Sequence, residues 1–251
     1  MKNKIVSIIM PCHNGQMYLD ESINSVLSQT YINWELLIID DNSTDDSVNI
    51  IKNYCQKDSR IKLLQNDNPQ GKPFAPRNFG IKNASGRYIA FLDCDDKWLS
   101  TKLDNQIKLF EDSNCAIVYS YYKKMNAESV VRECVIKSPE KISYKHLLNG
   151  NCIGNLTAVY DTQKVGKVFQ KDIHHEDYVM WLEILSKGFY AINTNSVEAI
   201  YRESSSSTSG NKISAFIWTW NIYIKELKLS LVSSIYHFSI YSIKAVMKFL
   251  K

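Results

Sequence analysis

Three carboxylates fall within four residues at Asp93-Cys94-Asp95-Asp96, directly after the apolar run Tyr88–Leu92. Carboxylates that close repel one another unless a cation or hydrogen-bond donors compensate. Hard divalent cations such as Mn²⁺ or Mg²⁺ favour oxygen ligands of this kind and bind diphosphates through one or two carboxylates. A second acidic run, Asp40-Asp41-Asn42-Ser43-Thr44-Asp45, ends the stretch Trp34–Asp40. Alone it reads as a turn and a helix cap, since Ser43, Thr44 or Asp45 could each cap the next helix. Taken with the first cluster, it points to a metal-bound diphosphate. A third constellation, His174-His175-Glu176-Asp177, opens a helical pattern containing Met180, Trp181, Ile184 and Leu185. Asp177 shares a face with Met180 and Trp181, three and four residues on. A carboxyl partly desolvated on a packing face has its pKa raised toward that of a usable general base. The plainer alternative is a helix cap at the positive end of the dipole. The paired histidines lack H-x-x-x-H spacing and point in different directions, which argues against zinc. They line an acceptor opening or face solvent.

These residues need a scaffold that brings strand ends together, and the chain supplies the pattern for one. Ile5–Met10, Trp34–Asp40, Ile61–Leu64 and Tyr88–Leu92 read as buried strands, and Leu19–Thr30, Asp45–Lys57, Arg77–Ala84 and Thr101–Glu111 as the intervening helices. Such alternation predicts an α/β fold, a mainly parallel central sheet with helices on both faces, with ligands bound beyond the carboxyl ends of the strands. Cys115–Tyr121, Val130–Ile136, Leu156–Tyr160 and Val197–Tyr201 read as later strands, and Glu176–Lys187 as a helix. The first strand leads into Pro11-Cys12-His13-Asn14-Gly15, with no G-x-G-x-x-G and no G-x-x-x-x-G-K-[ST]. A phosphate held without a glycine cradle needs a metal, which returns the reading to Asp95.

Five segments now stand in order: Ser7-Ile8-Ile9-Met10-Pro11-Cys12-His13-Asn14, Ile38-Ile39-Asp40-Asp41-Asn42-Ser43-Thr44-Asp45, Pro76-Arg77-Asn78-Phe79-Gly80-Ile81, Phe91-Leu92-Asp93-Cys94-Asp95-Asp96 and His175-Glu176-Asp177-Tyr178. In that order and spacing they resemble the family 2 glycosyltransferases of the GT-A fold, which are Rossmann-like, over residues 5–210. The resemblance implies that Asp41 accepts the uracil N3–H of a UDP-sugar and that the backbone near Pro11 flanks the base. Asp93 and Asp95 would meet ribose and metal, Asp95 being the Mn²⁺ or Mg²⁺ ligand. Arg77 would approach the diphosphate, and Asp177 would deprotonate the acceptor hydroxyl. Glu176 and Trp181 fall on the acceptor side. Position 13 is usually a tyrosine that packs on the base; His13 can also stack and hydrogen-bond. Tyr201-Arg202-Glu203 and the serine run Ser204–Gly210 read as a linker or, by the same resemblance, a lid that brings Arg202 to the diphosphate.

The expected reaction is inverting transfer of a hexose, glucose or galactose, giving a β-linkage. The resemblance further implies a polyprenyl-diphosphate-linked saccharide acceptor such as GlcNAc-diphosphate-lipid, in assembly of bacterial O-antigen, capsule or teichuronic-type polysaccharide. Two rivals remain: a nucleotidyltransferase acting on sugar phosphates, and a non-catalytic carbohydrate-binding or membrane-scaffold protein. The first would need a glycine- and basic-rich triphosphate loop, which Pro11–Asn14 does not supply.

At 251 residues the chain is long enough for one full-sized core and a tail. The expected division is a catalytic domain over 1–210, with a nucleotide-binding half (1–115) and an acceptor half (116–210), then a helical tail over 211–251. A formal charge of +4 is too mild to suggest a nucleic-acid partner. Six cysteines without a C-x-x-C pair fit free thiols in a reducing cytosol, and the apolar run before Pro11 is too short for a signal peptide. From Lys212 onward there are six lysines against one acid, Glu226. The uncharged run Leu229–Ile243 is short of the roughly twenty residues that span a bilayer. With Trp218, Trp220, Tyr223, Tyr236 and Tyr241 in the same region, one reading is a helical pair lying on the anionic cytoplasmic leaflet of the bacterial plasma membrane. The alternatives are a cap on the domain or a homodimer interface.

Overall fold

The computed structural model describes residues 4–66, 71–203 and 212–249. The first four long strands are β1 (Val6–Cys12), β2 (Trp34–Asp40), β3 (Ile61–Gln65) and β4 (Tyr88–Phe91), with α1 (Leu19–Leu27), α2 (Ser47–Lys57) and α3 (Phe74–Asn83) between them. Next come β5 (Lys97–Trp98), α4 (Lys102–Leu109), β6 (Cys115–Met125), β7 (Val131–Ile136), β8 (Lys141–Ser143), α5 (Tyr144–Leu147), β9 (Val159–Asp161) and α6 (Thr162–Val165). The chain continues through α7 (Glu176–Ser186) and β10 (Tyr190–Arg202) to the tail helices α8 (Lys212–Asn221) and α9 (Leu231–Phe249), which a π-helical turn, Ile222–Glu226, follows and precedes respectively.

Among the described residues all ten strands form one sheet, ordered β3-β2-β1-β4-β9-β6-β10-β5, with β7 on β6 and β8 on β10. β3, β2, β1 and β4 run parallel, β9 is antiparallel to both its neighbours, and β6 pairs with β10 in parallel. The expected boundary near residue 115 falls between α4 and β6, and the sheet continues across it. Side chains alternate between its faces, so Ile8, Met10, Leu36 and Ile38 join one core while Ile9, Leu37 and Ile39 join the other. Leu19, Ile23, Val26, Leu103 and Ile107 from α1 and α4 cover the first face. The second is covered by α3, α7 and the tail, through Ile81, Trp181, Ile184, Ile222 and Tyr223. Burial on both faces is why the parallel strands read as unbroken apolar runs.

Among the elements that differ from expectation, three have a clear physical reason. α3 begins at Phe74 rather than Arg77. Pro76 stands in its first turn, where a missing N–H breaks no intrahelical bond. Leu156–Tyr160 is not one strand: Asn155–Thr157 makes a 3₁₀ turn before β9. β10 starts seven residues before Val197, its register against β6 shifting between Asn193 and Val197 and again before Ala199, which broke the apolar pattern. The serine run Ser204–Gly210 lies outside the described residues.

Candidate active site

β1, β2 and β4 are neighbours in register, Ile9 standing beside both Leu37 and Phe91. Their carboxyl ends therefore release Cys12-His13, Asp41 and Asp93 at one edge of the sheet. The loops are tied together: the Asp41 amide donates to the Cys12 carbonyl (2.8 Å) and the Thr44 amide to Asn14 Oδ1 (2.7 Å). Asn14 and Asn42 take left-handed backbone, φ 51° and 61°, a conformation asparagine tolerates better than most residues. Gly15 is required by close approach, since a Cβ there would lie 2.9 Å from Cys94 Sγ and 3.1 Å from Cys12 Sγ.

Above these strand ends a cavity of about 370 Å³ is lined by Pro11, His13, Asp41, Arg77, Asp93 and Asp95, together with Lys72. Sequence reasoning named all of these except Lys72. His13 Nδ1 is 2.7 Å from the Asp41 carbonyl, and Asp41 Oδ1 accepts from Asn66 Nδ2 at 2.7 Å. Burial, and then the charge of Asp93, push the Asp95 carboxyl above its ordinary pKa. Arg77 offsets part of this crowding at Asp93, and a bound cation would relieve the rest at Asp95. Among the described residues no three His, Cys, Asp or Glu side chains converge on one point. Asp93 and Asp95, both lining the cavity, fit as oxygen ligands for a divalent cation that a diphosphate would complete. Asp96 is separate: its side chain is buried, accepts the Arg202 amide at 2.7 Å, and is raised well above the usual range by burial and its acidic neighbours.

Arg77 lines this cavity but carries partners that the sequence did not announce. α3 crosses the sheet so closely that a Cβ on Gly80 would meet Ile9 Cγ2 at 2.6 Å and Ile39 Cδ1 at 2.8 Å. One turn earlier Arg77 lies buried, its Nη2 on both oxygens of Asp93 (2.8 and 3.0 Å) and its Nη1 on Glu176 Oε1 (2.9 Å). Burial works against its charge, but Asp93 and Glu176 outweigh it and the pKa rises. Arg77 lines the donor cavity while already holding two carboxylates.

Arg202 is a correction. It is buried and absent from the donor cavity, its Nε donating to the Asp95 carbonyl (2.8 Å), its Nη1 to the Asn126 carbonyl and Ser129 Oγ, and its Nη2 to Glu21. The guanidinium also stacks on Tyr18, 3.9 Å from the ring centre. It braces the Asp95 backbone from behind instead of reaching into the pocket.

A second cavity, about 500 Å³, adjoins the first, and Gly71, Lys72 and Pro73 line both. His174, His175, Glu176, Asp177 and Trp218 form its other wall. His175 precedes α7 in left-handed conformation (φ 61°), turning the chain so that Asp177 falls in the first turn. Burial first, then the neighbouring Glu176, raise the Asp177 carboxyl to about 6, although the Tyr178 amide (2.7 Å) and Asn151 Nδ2 (3.1 Å) both donate to it. A carboxyl so placed can take a proton near neutral pH. Trp181 is a correction. It is fully buried, packed on Phe91 and Tyr160 at centroid distances of 6.2 and 6.3 Å, and belongs to the core. Trp218 of α8 lines the cavity instead, stacked on His174 at 3.8 Å.

Asn66, Lys72, Asn151 and Trp218 were missed because none belongs to a run of chemically unusual residues. Each reaches the site only by folding from a distant segment.

The sequence matches the profile described as Glycosyl transferase family 2 over residues 7–163. It is 42% identical over 223 residues, 88% of this chain and 86% of the relative, to the UDP-Glc:alpha-D-GlcNAc-diphosphoundecaprenol beta-1,3-glucosyltransferase WfgD of Escherichia coli. Among solved structures, S. aureus TarS in complex with UDP-GlcNAc superposes with a TM-score of 0.71 at 19% identity, covering 95% of this chain and 70% of that one. The mannosyltransferase PcManGT of Pyrobaculum calidifontis, in complex with GDP-Man and Mn²⁺, gives 0.64 at 16% identity, covering 90% and 65%. These two likenesses establish the GT-A fold.

Proposed function

The chain belongs to glycosyl transferase family 2, and from that premise we propose that it moves a hexose, glucose or galactose, from a UDP-sugar to a lipid-diphosphate-linked GlcNAc. The product would be a β-linked unit of a bacterial surface polysaccharide. The observation that carries this reading is the contact of two cavities across Gly71–Pro73, one with Asp41, Asp93 and Asp95, the other with Asp177. An acceptor hydroxyl beside Asp177 faces the sugar of a donor lying over Asp95. The WfgD relative, named for UDP-Glc and a diphosphoundecaprenol acceptor, supports the choice of substrates.

Residues 1–115 hold the donor in this reading. Asp41, fixed by Asn66, accepts the base N3–H, His13 lies against the base, and Asp93 meets the ribose. A divalent cation, Mn²⁺ or Mg²⁺, bound at Asp95 supplies positive charge for the diphosphate. Asp177 removes the acceptor proton as that oxygen bonds to the anomeric carbon. The bond to the diphosphate breaks on the opposite face, UDP leaves, and the anomeric centre inverts. Lys72 provides the exposed cation where the cavities meet.

The enzyme acts at the inner face of the plasma membrane, held there by the tail. Tyr223 is buried, Trp218 stacks on His174, Trp220 packs on Phe238, and a Cβ on Gly150 would lie 3.1 Å from the Tyr241 ring. These aromatics therefore seat the tail on the domain. Val232, Ile235, Tyr236, Ile243, Val246 and Met247 are all more than half exposed and fall on the other side of α9. An apolar stripe of that kind suits the boundary of headgroups and acyl chains, and no described helix is long and apolar enough to cross a membrane.

The test is transfer from a panel of UDP-, GDP- and dTDP-sugars with Mn²⁺ to a synthetic GlcNAc-diphosphate-lipid. UDP release with formation of a β-linked disaccharide is expected, and Asp177→Asn should reduce turnover roughly 10²- to 10⁴-fold while keeping UDP affinity. No transfer from any UDP-hexose, or normal turnover by the variant, would refute the reading.

A further inference from the structure

Between α9 and the segment from β8 through α5 lies a cavity of about 600 Å³ that the donor and base residues do not line. Its size is that of a ligand site. Lys141, His146 and Lys244 stand in its wall with the amides of Asn149 and Asn151, and no carboxylate lines it among the described residues. Lys141 Nζ is 3.5 Å from the centre of the Tyr190 ring, and His146 Nδ1 is 3.1 Å from Ser143 Oγ. Lys244 is exposed and forms no ion pair with a described carboxylate. Ile142, Tyr241 and Ala245 make the rest of the wall apolar. The cavity therefore suits an anion that carries an apolar chain.

Its position narrows the anion further. Asn151, in its wall, donates to Asp177 Oδ2 at 3.1 Å, so one side chain separates the cavity from the catalytic base. At the other end Ile243, Val246 and Met247, close to Lys244 in the same helix, belong to the exposed apolar stripe. The walls are seated on each other: His237 Nδ1 is 2.8 Å from Asn149 Oδ1, and Tyr223 donates to the Leu148 carbonyl.

We propose that this cavity binds the diphosphate of the lipid-linked acceptor, Lys244 being its principal cation, with the sugar reaching past Asn151 to Asp177 and the lipid leaving along α9. This rests on the lipid-diphosphate acceptor proposed above. Phosphate chemistry of the same kind is presented by anionic phospholipid headgroups, so the test separates the two.

Two acceptors with the same GlcNAc and the same alkyl chain are compared on the full chain, one joined through a diphosphate and one through a plain glycosidic oxygen. Wild type should prefer the diphosphate in kcat/KM, and Lys244→Ala and Lys244→Glu should shrink that preference roughly 10- to 100-fold, the worth of one or two charge-assisted hydrogen bonds. UDP affinity by calorimetry should not change, since the donor cavity lies elsewhere. An unaltered preference in both variants overturns the proposal. So does weaker flotation of Lys244→Glu with phosphatidylglycerol vesicles at an unaltered preference, which would assign the cavity to headgroups. Failure of wild type to glycosylate either acceptor is the distinct result that removes the reaction itself.

Discussion

Asp177 and Asp95 are both carboxyls whose protons are held more tightly than usual, with opposite consequences for function. For a base the ionised form is active, so kcat/KM should rise with pH through about 6, where the structure puts Asp177, instead of levelling near the pH 4 of an ordinary aspartate. Asn151 donates to the ionised carboxylate and so lowers this value. Asn151→Ala should move the acid limb of the pH–rate profile to higher pH, whereas a limb that stays put would leave Asn151 without a positioning role. For Asp95 the raised value is a cost that the proposed cation would remove. Asp95→Ala should abolish the dependence of UDP binding on Mn²⁺, checked by calorimetry with and without the metal; unchanged Mn²⁺-dependent affinity would place the ligand elsewhere. At this scale the sequence was informative wherever acids crowded at a strand end. It was misleading for Trp181 only in the acceptor-side assignment: helical spacing set the indole on the packing face, and there it is fully buried in the core.

The elements decide which residues meet. The segment leading into α3 carries Lys72, half-exposed and paired with Asp172 at 2.6 Å, an ion pair in solvent worth little by itself. A diphosphate offers that lysine a stronger partner. Lys72→Ala should raise the donor KM about tenfold with a smaller change in kcat, measured by initial rates; an unchanged donor KM would show that the lysine serves Asp172 alone. Nothing in the stretch Asn66–Pro76 announced this, because a lysine in a Gly/Pro-containing loop looks like any solvated charge. The strands were legible because a sheet buried on both faces demands continuous apolar runs, as in Ile8–Met10 and Leu36–Ile39. β10 was legible only in its second part. Its bulged first part carries Asn193 and Asn195, whose polarity contradicts a strand until the hydrogen bonds from Asn193 Nδ2 to the Ser138 and Pro139 carbonyls are known.

At the scale of the whole molecule, one sheet carries two adjoining cavities, and the tail packs on the face covered by α3 and α7, where Trp218 enters the wall of the second cavity. The sequence suggested a tail that either lies on a membrane or caps the domain; the structure turns Trp218, Trp220 and Tyr223 inward and leaves a largely aliphatic stripe, with Tyr236, outside. Sequence periodicity alone could not separate those faces, since α9 is apolar on both. Vesicles containing anionic lipid should float the protein, and the pair Val232→Glu with Ile243→Glu should abolish flotation with little effect on transfer to a soluble acceptor. Flotation that survives both substitutions would remove the stripe from membrane attachment. One side chain joins the two cavities electrically. Arg77 grips Asp93 on the donor side and Glu176 on the acceptor side at once. Whatever neutralises Asp93 leaves that guanidinium more fully to Glu176, the residue beside the base. Any influence that one substrate exerts through this arginine on the affinity of the other is returned by the same factor, and measuring either coupling fixes both.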